Sequence, residues 1–217
     1  PAVNLLAERR ARGVRTIFVS VDVQKAFDRV KHDGIIAGLR RIGADEHLCA
    51  LIRSLLHGRS TRVLSNGELS DSVPIGRGVP QGGVVSPFLF NAAVDFVYEA
   101  VRPDGIELSI GADQVIRIGG LGFADDPLLI TDTIAKAQAM VDTTDQRLKD
   151  IGCDTHPGKL RFITSNVRRD GARPPGDVLT LRGETHKPVE SLTHLGCYMT
   201  GDAVGRRKRN PDRIARL

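Results

Sequence analysis

A chain of 217 residues with 41% hydrophobic and 26% charged residues can bury one good core or two small ones, which excludes disordered and fibrous classes. A formal net charge of +5 and a pI near 9.4 suit a polyanionic partner without specifying one. Cys49, Cys153 and Cys197 are odd in number and lack CxxC spacing, which argues against a disulfide framework or a zinc site, and the longest apolar stretch, Val84 to Val101, is broken by Ser86, Pro87, Asn91, Asp95 and Glu99, too polar for a membrane span.

Residues Pro1 to Arg15 read as the end of a helix, basic through Arg9, Arg10, Arg12 and Arg15 and closed by Gly13. Thr16 to Val23, TIFVSVDV, alternates as a strand, with Ile17, Val19, Val21 and Val23 on one face and the Asp22 carboxylate at its end. Asp45 is the expected N-cap of a helix whose Leu48, Leu51, Ile52, Leu55 and Leu56 recur at helical spacing, with Gly58 just past its end. Arg62 to Leu64 runs into Asn66-Gly67, a two-residue hairpin signal, and returns through Leu69 and Val73 towards Pro74.

After the loop RGVPQGG, Ser86 to Val101 is apolar nearly all round, which predicts a helix buried on most sides. Strands are expected at Ile106 to Ile110 and Val115 to Phe123. Ala124-Asp125-Asp126 then interrupts before Leu128 to Thr131 resumes, so two carboxylates fall at a hairpin turn. A helix from Thr133 to Ile151, closed by Gly152, precedes a strand from Leu160 to Ser165, a loop from Arg168 to Asp177 and two short strands ending near Met199. The basic stretch GRRKRNPDRIARL ends the chain. Helices and strands interleaved over an antiparallel core predict an α+β fold.

Asp22 at a strand end and the adjacent pair Asp125 and Asp126 at a turn are the residues that stand out. Hard divalent cations take oxygen ligands, and Mg²⁺ is held by one or two carboxylates plus substrate phosphates. Two such ions about 4 Å apart can clamp the attacking and leaving oxygens of a phosphoryl transfer. Either feature alone is ordinary, since Asp is common in turns and at strand ends. What lies between them changes the balance.

VDVQKAFD (Val21 to Asp28), RGVPQGGVVSPFLFN (Arg77 to Asn91) and FADD (Phe123 to Asp126) resemble motifs A, B and C of reverse transcriptases, in that order. The AFD and FADD forms are most similar to non-LTR (LINE-type) retrotransposons. GCDTHPGKL (Gly152 to Leu160) resembles motif D, and His194-Leu195-Gly196 resembles the motif E turn. The resemblance implies a polymerase palm, an antiparallel sheet packed on helices, over residues 1–200 with partial fingers. Residues 201–217 would lead towards a thumb. Fingers and thumb are otherwise largely absent, and with Pro1 in the place of an initiator Met a fragment is expected.

The resemblance further implies two Mg²⁺ or Mn²⁺ ions ligated by Asp22, Asp125 and the backbone carbonyl of Val23, with Asp126 needed beside them. Gln81 and Gly82 would line the nucleotide pocket, Lys159 would lie near the triphosphate, and Leu195 and Gly196 would support the primer end. Phe27 would pack under the sugar and leave neither room nor a partner for a 2′-hydroxyl, favouring dNTPs. The implied partners are an RNA template, a DNA primer and dNTPs, with no membrane. The parent polyprotein would carry an endonuclease, and the chain would be intracellular and act in the nucleus.

Four positions depart from the family's pattern: Pro127 after FADD, His156, Leu160 and His194. Pro127 cannot donate in a sheet, so an edge position or a deformed hairpin is expected. The alternative is therefore an inactive nucleic-acid-binding remnant of a retroelement polymerase. An RNA-directed RNA polymerase shares the metal-carboxylate palm, and Phe27 and PQG argue against it.

Overall fold

The computed structural model describes residues 9, 12–110, 114–123, 125–165, 176–195 and 197–200, with the side chains of 109, 110, 123 and 197 left aside. In chain order these form β1 (Ile17–Ser20), β2 (Val23–Gln24), α1 (Ala26–Arg29), α2 (His32–Arg41), α3 (Glu46–Leu56), β3 (Ser60–Thr61), β4 (Leu64–Ser65), β5 (Glu68–Leu69), β6 (Val73–Pro74) and α4 (Ser86–Val101). There follow β7 (Ile106–Ile110), β8 (Gln114–Ile118), β9 (Gly120–Phe123), β10 (Asp126–Thr131), α5 (Ile134–Asp150), β11 (Asp154–Thr155), β12 (Arg161–Thr164), β13 (Leu179–Leu181), β14 (Glu184–His186), β15 (Ser191–His194) and β16 (Cys197–Thr200). The mixture of helices with antiparallel strand pairs is the α+β class expected. The basic segment 201–217 lies outside the described residues.

The described residues within Pro1–Asp22, Tyr98–Thr144 and His156–Leu217 form one compact unit, and those within Val23–Val97 and Asp145–Thr155 a second. The first is built on a four-stranded antiparallel sheet in the order β12-β1-β10-β9. β1 lies inside it, pairing Ile17 with Thr131 and Ser20 with Leu128 on one side, and Ile17 with Thr164 on the other. Both faces of β1 are covered, which is why Ile17, Phe18 and Val19 are apolar at successive positions rather than at alternate ones. Ile17, Val19 and Val21 pack with Leu129, Phe162, Ala137 and Met140 on one face. Phe18 packs with Leu128, Ile130, Ile163 and Leu192 on the other. Phe18 is wholly buried, and burial of that kind stabilises by about 1.5–3 kcal/mol per side chain.

In the second unit, Asp45 caps α3 as expected, its side chain accepting from Leu48 N at 2.7 Å. Cys49, Ile52 and Leu56 are buried, while Leu48, Leu51 and Leu55 of the same apolar series are exposed. Asn66 and Gly67, both with positive φ, close the β4–β5 hairpin in two residues. A methyl on Gly38 of α2 would overlap the backbone carbonyl of Ala92 in α4, so this glycine lets the two helices approach closely.

Several expectations are corrected. The strand expected from Thr16 to Val23 ends at Ser20, and Val23 opens a separate strand paired with β11. The strand expected from Val115 to Phe123 is divided at Gly119 into β8, paired with β7, and β9, paired with β10. Among the described residues four short strands, not two, follow β12. Pro127 is neither on an edge nor the seat of a deformed hairpin: it pairs with Gly122 on β10, an interior strand. Its carbonyl accepts from Val21 N at 3.1 Å, so its nitrogen also faces the β1 side, where β1 has just ended and little ladder remains to disrupt.

Candidate active site

Asp22 stands two residues beyond β1 and is held by its backbone. Val21 N donates to Pro127 O on one side, and Asp22 O accepts from His156 N at 2.9 Å. Continuing the β1–β10 register past Ser20↔Leu128 sets Asp22 opposite Asp126. Across an antiparallel ladder, facing residues lie about 4.5–5.5 Å apart at Cα and project to the same face. Asp126 in turn pairs with Phe123 across the β9–β10 hairpin, whose two-residue turn contains Asp125. Asp125 and Asp126 are exposed. The first unit thus carries the three expected carboxylates at one end of its sheet.

Lys159 joins them. It ends a 3-10 turn, Pro157–Lys159, and its Nζ lies 3.2 Å from Asp22 Oδ2 and 3.4 Å from Oδ1. Both side chains remain open, at 58% and 35% exposure. His194, one of the four departures from the family's pattern, is buried in β15, and burial holds its imidazole below the ordinary range against the raising effect of Asp126. Leu195 follows it with positive φ and is exposed, whereas its partner in the expected primer support, Gly196, lies outside the described residues.

The other expected residues, Val23, Phe27, Gln81 and Gly82, belong to the second unit. Val23 is buried and pairs with Thr155. The Phe27 ring stacks on Phe90, with centroids 5.1 Å apart and planes 19° from parallel. Gln81 Nε2 donates to Asp28 Oδ1 at 3.1 Å and Oδ2 at 3.3 Å. The loop before it is fastened to the same short helix, since Val79 N donates to Phe27 O at 2.7 Å and Gly78 N to Val30 O at 2.8 Å. His32, buried, lies with Nε2 3.1 Å from Gly78 O. Asp28 and His32 were not singled out from the sequence. The signal was present in the shared spacing of AFD and RGVPQ, but only the fold shows that the two segments meet.

Among the described residues no group of three or more His, Cys, Asp or Glu side chains closes into a metal cage. The donor set of exposed carboxylates, without His or Cys, nevertheless fits a hard divalent cation whose coordination water and phosphates complete. No helix among the described residues is long and apolar enough to cross a membrane.

The family described as reverse transcriptase (RNA-dependent DNA polymerase) matches residues 4–198. A type-1 R2 retrotransposable-element Pol polyprotein of Popillia japonica is 27% identical over 91% of this chain and 33% of its own length. The RNA-directed DNA polymerase of the mobile element jockey of Drosophila melanogaster is 34% identical over 59% of this chain and 13% of its own. The chain spans a third or less of the length of these relatives. Among solved structures, telomerase of Candida albicans, in complex with a fragment of telomeric RNA, superposes with a TM-score of 0.57 at 12% identity, covering 92% of this chain and 32% of that one. That likeness bears on the fold alone.

Proposed function

Because the chain belongs to the reverse transcriptase (RNA-dependent DNA polymerase) family, we propose that it is the palm portion of a non-LTR retrotransposon polymerase, adding dNTPs to a DNA primer on an RNA template. The observation that supports this reading is the Val21 N to Pro127 O hydrogen bond one rung past Ser20↔Leu128, since continuing that register would bring Asp22 opposite Asp126, beside the turn bearing Asp125. Divalent metal ions serve reverse transcriptase domains generally. Here two Mg²⁺ or Mn²⁺ ions would be held by Asp22, Asp125 and the Val23 carbonyl, with Asp126 completing the acidic end of the sheet. When bound, such ions supply the Lewis acidity that activates a primer 3′-hydroxyl and offsets the charge of the departing pyrophosphate.

The chain's own residues do the rest. Lys159 carries a proton and a positive charge to the triphosphate, where charge develops as the bond breaks. Phe27, braced by Phe90, excludes a 2′-hydroxyl by bulk and by offering it no hydrogen-bond partner. Gln81, tethered by Asp28, and Gly82 line the pocket for the incoming nucleotide. Leu195 and Gly196 support the primer end. The parent polyprotein would carry an endonuclease and act on chromosomal DNA in the nucleus.

A second reading, a nucleic-acid-binding remnant without turnover, is favoured by one observation: Asp22 is already paired with Lys159. It entails salt-sensitive primer–template binding with no nucleotide incorporation. Primer extension on an RNA template with Mg²⁺ or Mn²⁺ separates the two, with dNTPs compared with rNTPs. Extension by dNTPs that vanishes in Asp125→Ala and admits rNTPs in Phe27→Ala supports the polymerase. Binding that persists while no extension occurs in this chain or in its full-length parent sinks it and leaves the remnant.

A further inference from the structure

β9 reads Gly-Leu-Gly-Phe, and its two glycines share one face of an edge strand, while Leu121 packs on the other side with the cluster around Phe18. Neither glycine has a positive φ, so neither is required by the backbone. What both exclude is a side chain against Tyr98, in the last turn of α4. A methyl on Gly122 would overlap the Tyr98 phenol oxygen and Cζ and stand 2.9 Å from Cε2, and a methyl on Gly120 would stand 3.1 Å from Cδ1. The ring therefore lies lengthwise beneath β9, Cδ1 under Gly120 and the hydroxyl under Gly122, one rung from the Phe123↔Asp126 pair.

The root of the ring is as closely fitted as its tip. A methyl on Gly119 would overlap the Val101 carbonyl, so the end of α4 sits directly on the backbone that leads into β9. Burial first, and the Asp126 carboxylate second, push the Tyr98 phenol well above its ordinary range, which agrees with a hydroxyl withdrawn from water beside that carboxylate. Strand glycines weaken an edge strand and mark places where another group must approach closely.

We propose that Tyr98 is a positioning residue for the carboxylate turn: its ring, seated in the slot left by Gly120 and Gly122, sets the height at which Asp125 and Asp126 are presented to a divalent cation. This rests on the carboxylate reading of the site. The coupling is steric, so ring and slot must change together to be tolerated, and it is carried by the ring rather than by a bond from the hydroxyl.

The test uses the full chain with Gly122→Ala, Tyr98→Ala, the two combined, Tyr98→Phe and Asp125→Ala. Amide hydrogen exchange is read over residues 121–128, and Mn²⁺ affinity is read from the free-ion electron paramagnetic resonance signal. Gly122→Ala is expected to speed exchange around the turn and weaken Mn²⁺ binding by about tenfold each, because misplacement of a ligand by an ångström is costly. Adding Tyr98→Ala should restore both to within about threefold of wild type, while Tyr98→Phe should leave both there from the start. Normal exchange and Mn²⁺ binding in Gly122→Ala, or a loss that Tyr98→Ala does not rescue, overturns the proposal. Should Gly122→Ala fail to fold, Tyr98→Ala alone decides: faster exchange confined to the turn upholds the slot, and unchanged exchange refutes it. Mn²⁺ binding insensitive to Asp125→Ala would instead sink the carboxylate reading, and the exchange data would still judge the slot.

Discussion

Lys159 Nζ lies 3.2 Å from Asp22 Oδ2, an ion pair between a 3-10 turn and the residue just past β1. Both groups are substantially open to water, so the pair adds little to stability, at most about 1 kcal/mol. Its importance is in competition for charge, because a divalent cation and this ammonium both favour the Asp22 carboxylate. Lys159→Ala is expected to leave the melting temperature nearly unchanged and to tighten Mn²⁺ binding by about threefold at low ionic strength. Calorimetric titration reads this directly, and weaker binding in the variant would contradict the competition.

If Phe27 selects the sugar as proposed, its stack on Phe90 would link that choice to the core. Phe90 is completely buried, and its replacement by Ala is expected to destabilise the chain by about 3–5 kcal/mol. The milder Phe90→Leu should keep the fold yet free the Phe27 ring. Its expected outcome is a fall in the preference for dNTPs over rNTPs in primer extension with little change in melting temperature. Retained discrimination would mean that Phe27 is held in place by other contacts.

His32 supplies part of the pH dependence. Burial lowers its pKa from the ordinary 6.5, the contact with Gly78 O opposes this, His57 and Arg59 lower it further, and Asp33 raises it. A folded-state value below the unfolded one means that the unfolded chain takes up the proton more readily. Stability is therefore present above about pH 6.5 and is lost as pH falls through the lower folded value. Melting temperatures measured from pH 7.5 to 5 should fall in the wild type and fall less in His32→Gln, which can still donate to Gly78 O. Parallel curves would remove His32 as a source.

Gly78 and Gly82 both have positive φ, at 82° and 80°, but differ in their surroundings. A methyl on Gly78 would meet the Phe27 and Asp28 carbonyl oxygens at 2.7 Å, whereas one on Gly82 would meet nothing within 4 Å. Gly82→Ala is expected to cost about 1 kcal/mol of backbone strain. Gly78→Ala adds a clash with backbone to that strain and should cost about 2–4 kcal/mol. Urea denaturation of the two variants checks the order, and an equal loss would contradict the packing of the loop on α1.

Much of this was legible in the sequence where a local signal decided the outcome. The Asp45 cap, the Asn66-Gly67 turn and the apolar helix Ser86–Val101 are set by capping, turn chemistry and burial, and the structure has all three. No helix is legible between Gln24 and Ala44, because α1 is a single turn and the apolar positions of α2 are spaced around glycines that serve close packing. Pro127 escapes the rule that confines proline to edges because that rule concerns a missing donor, and the donor is missing only where β1 has already ended. Tyr98 was invisible for another reason: a phenol matched to two glycines in a distant strand leaves no periodic trace in the chain.

Asp22 and Asp125 are proposed to hold a divalent cation together at one end of the β12-β1-β10-β9 sheet. Fe²⁺ substituted at the site, with ascorbate and peroxide, cleaves backbone only where the ion sits. Cuts are expected near residues 22 and 125 together, lost in both places in Asp22→Ala and in Asp125→Ala, and suppressed by excess Mg²⁺. Cleavage elsewhere, or cuts at one carboxylate that survive loss of the other, would contradict a shared site.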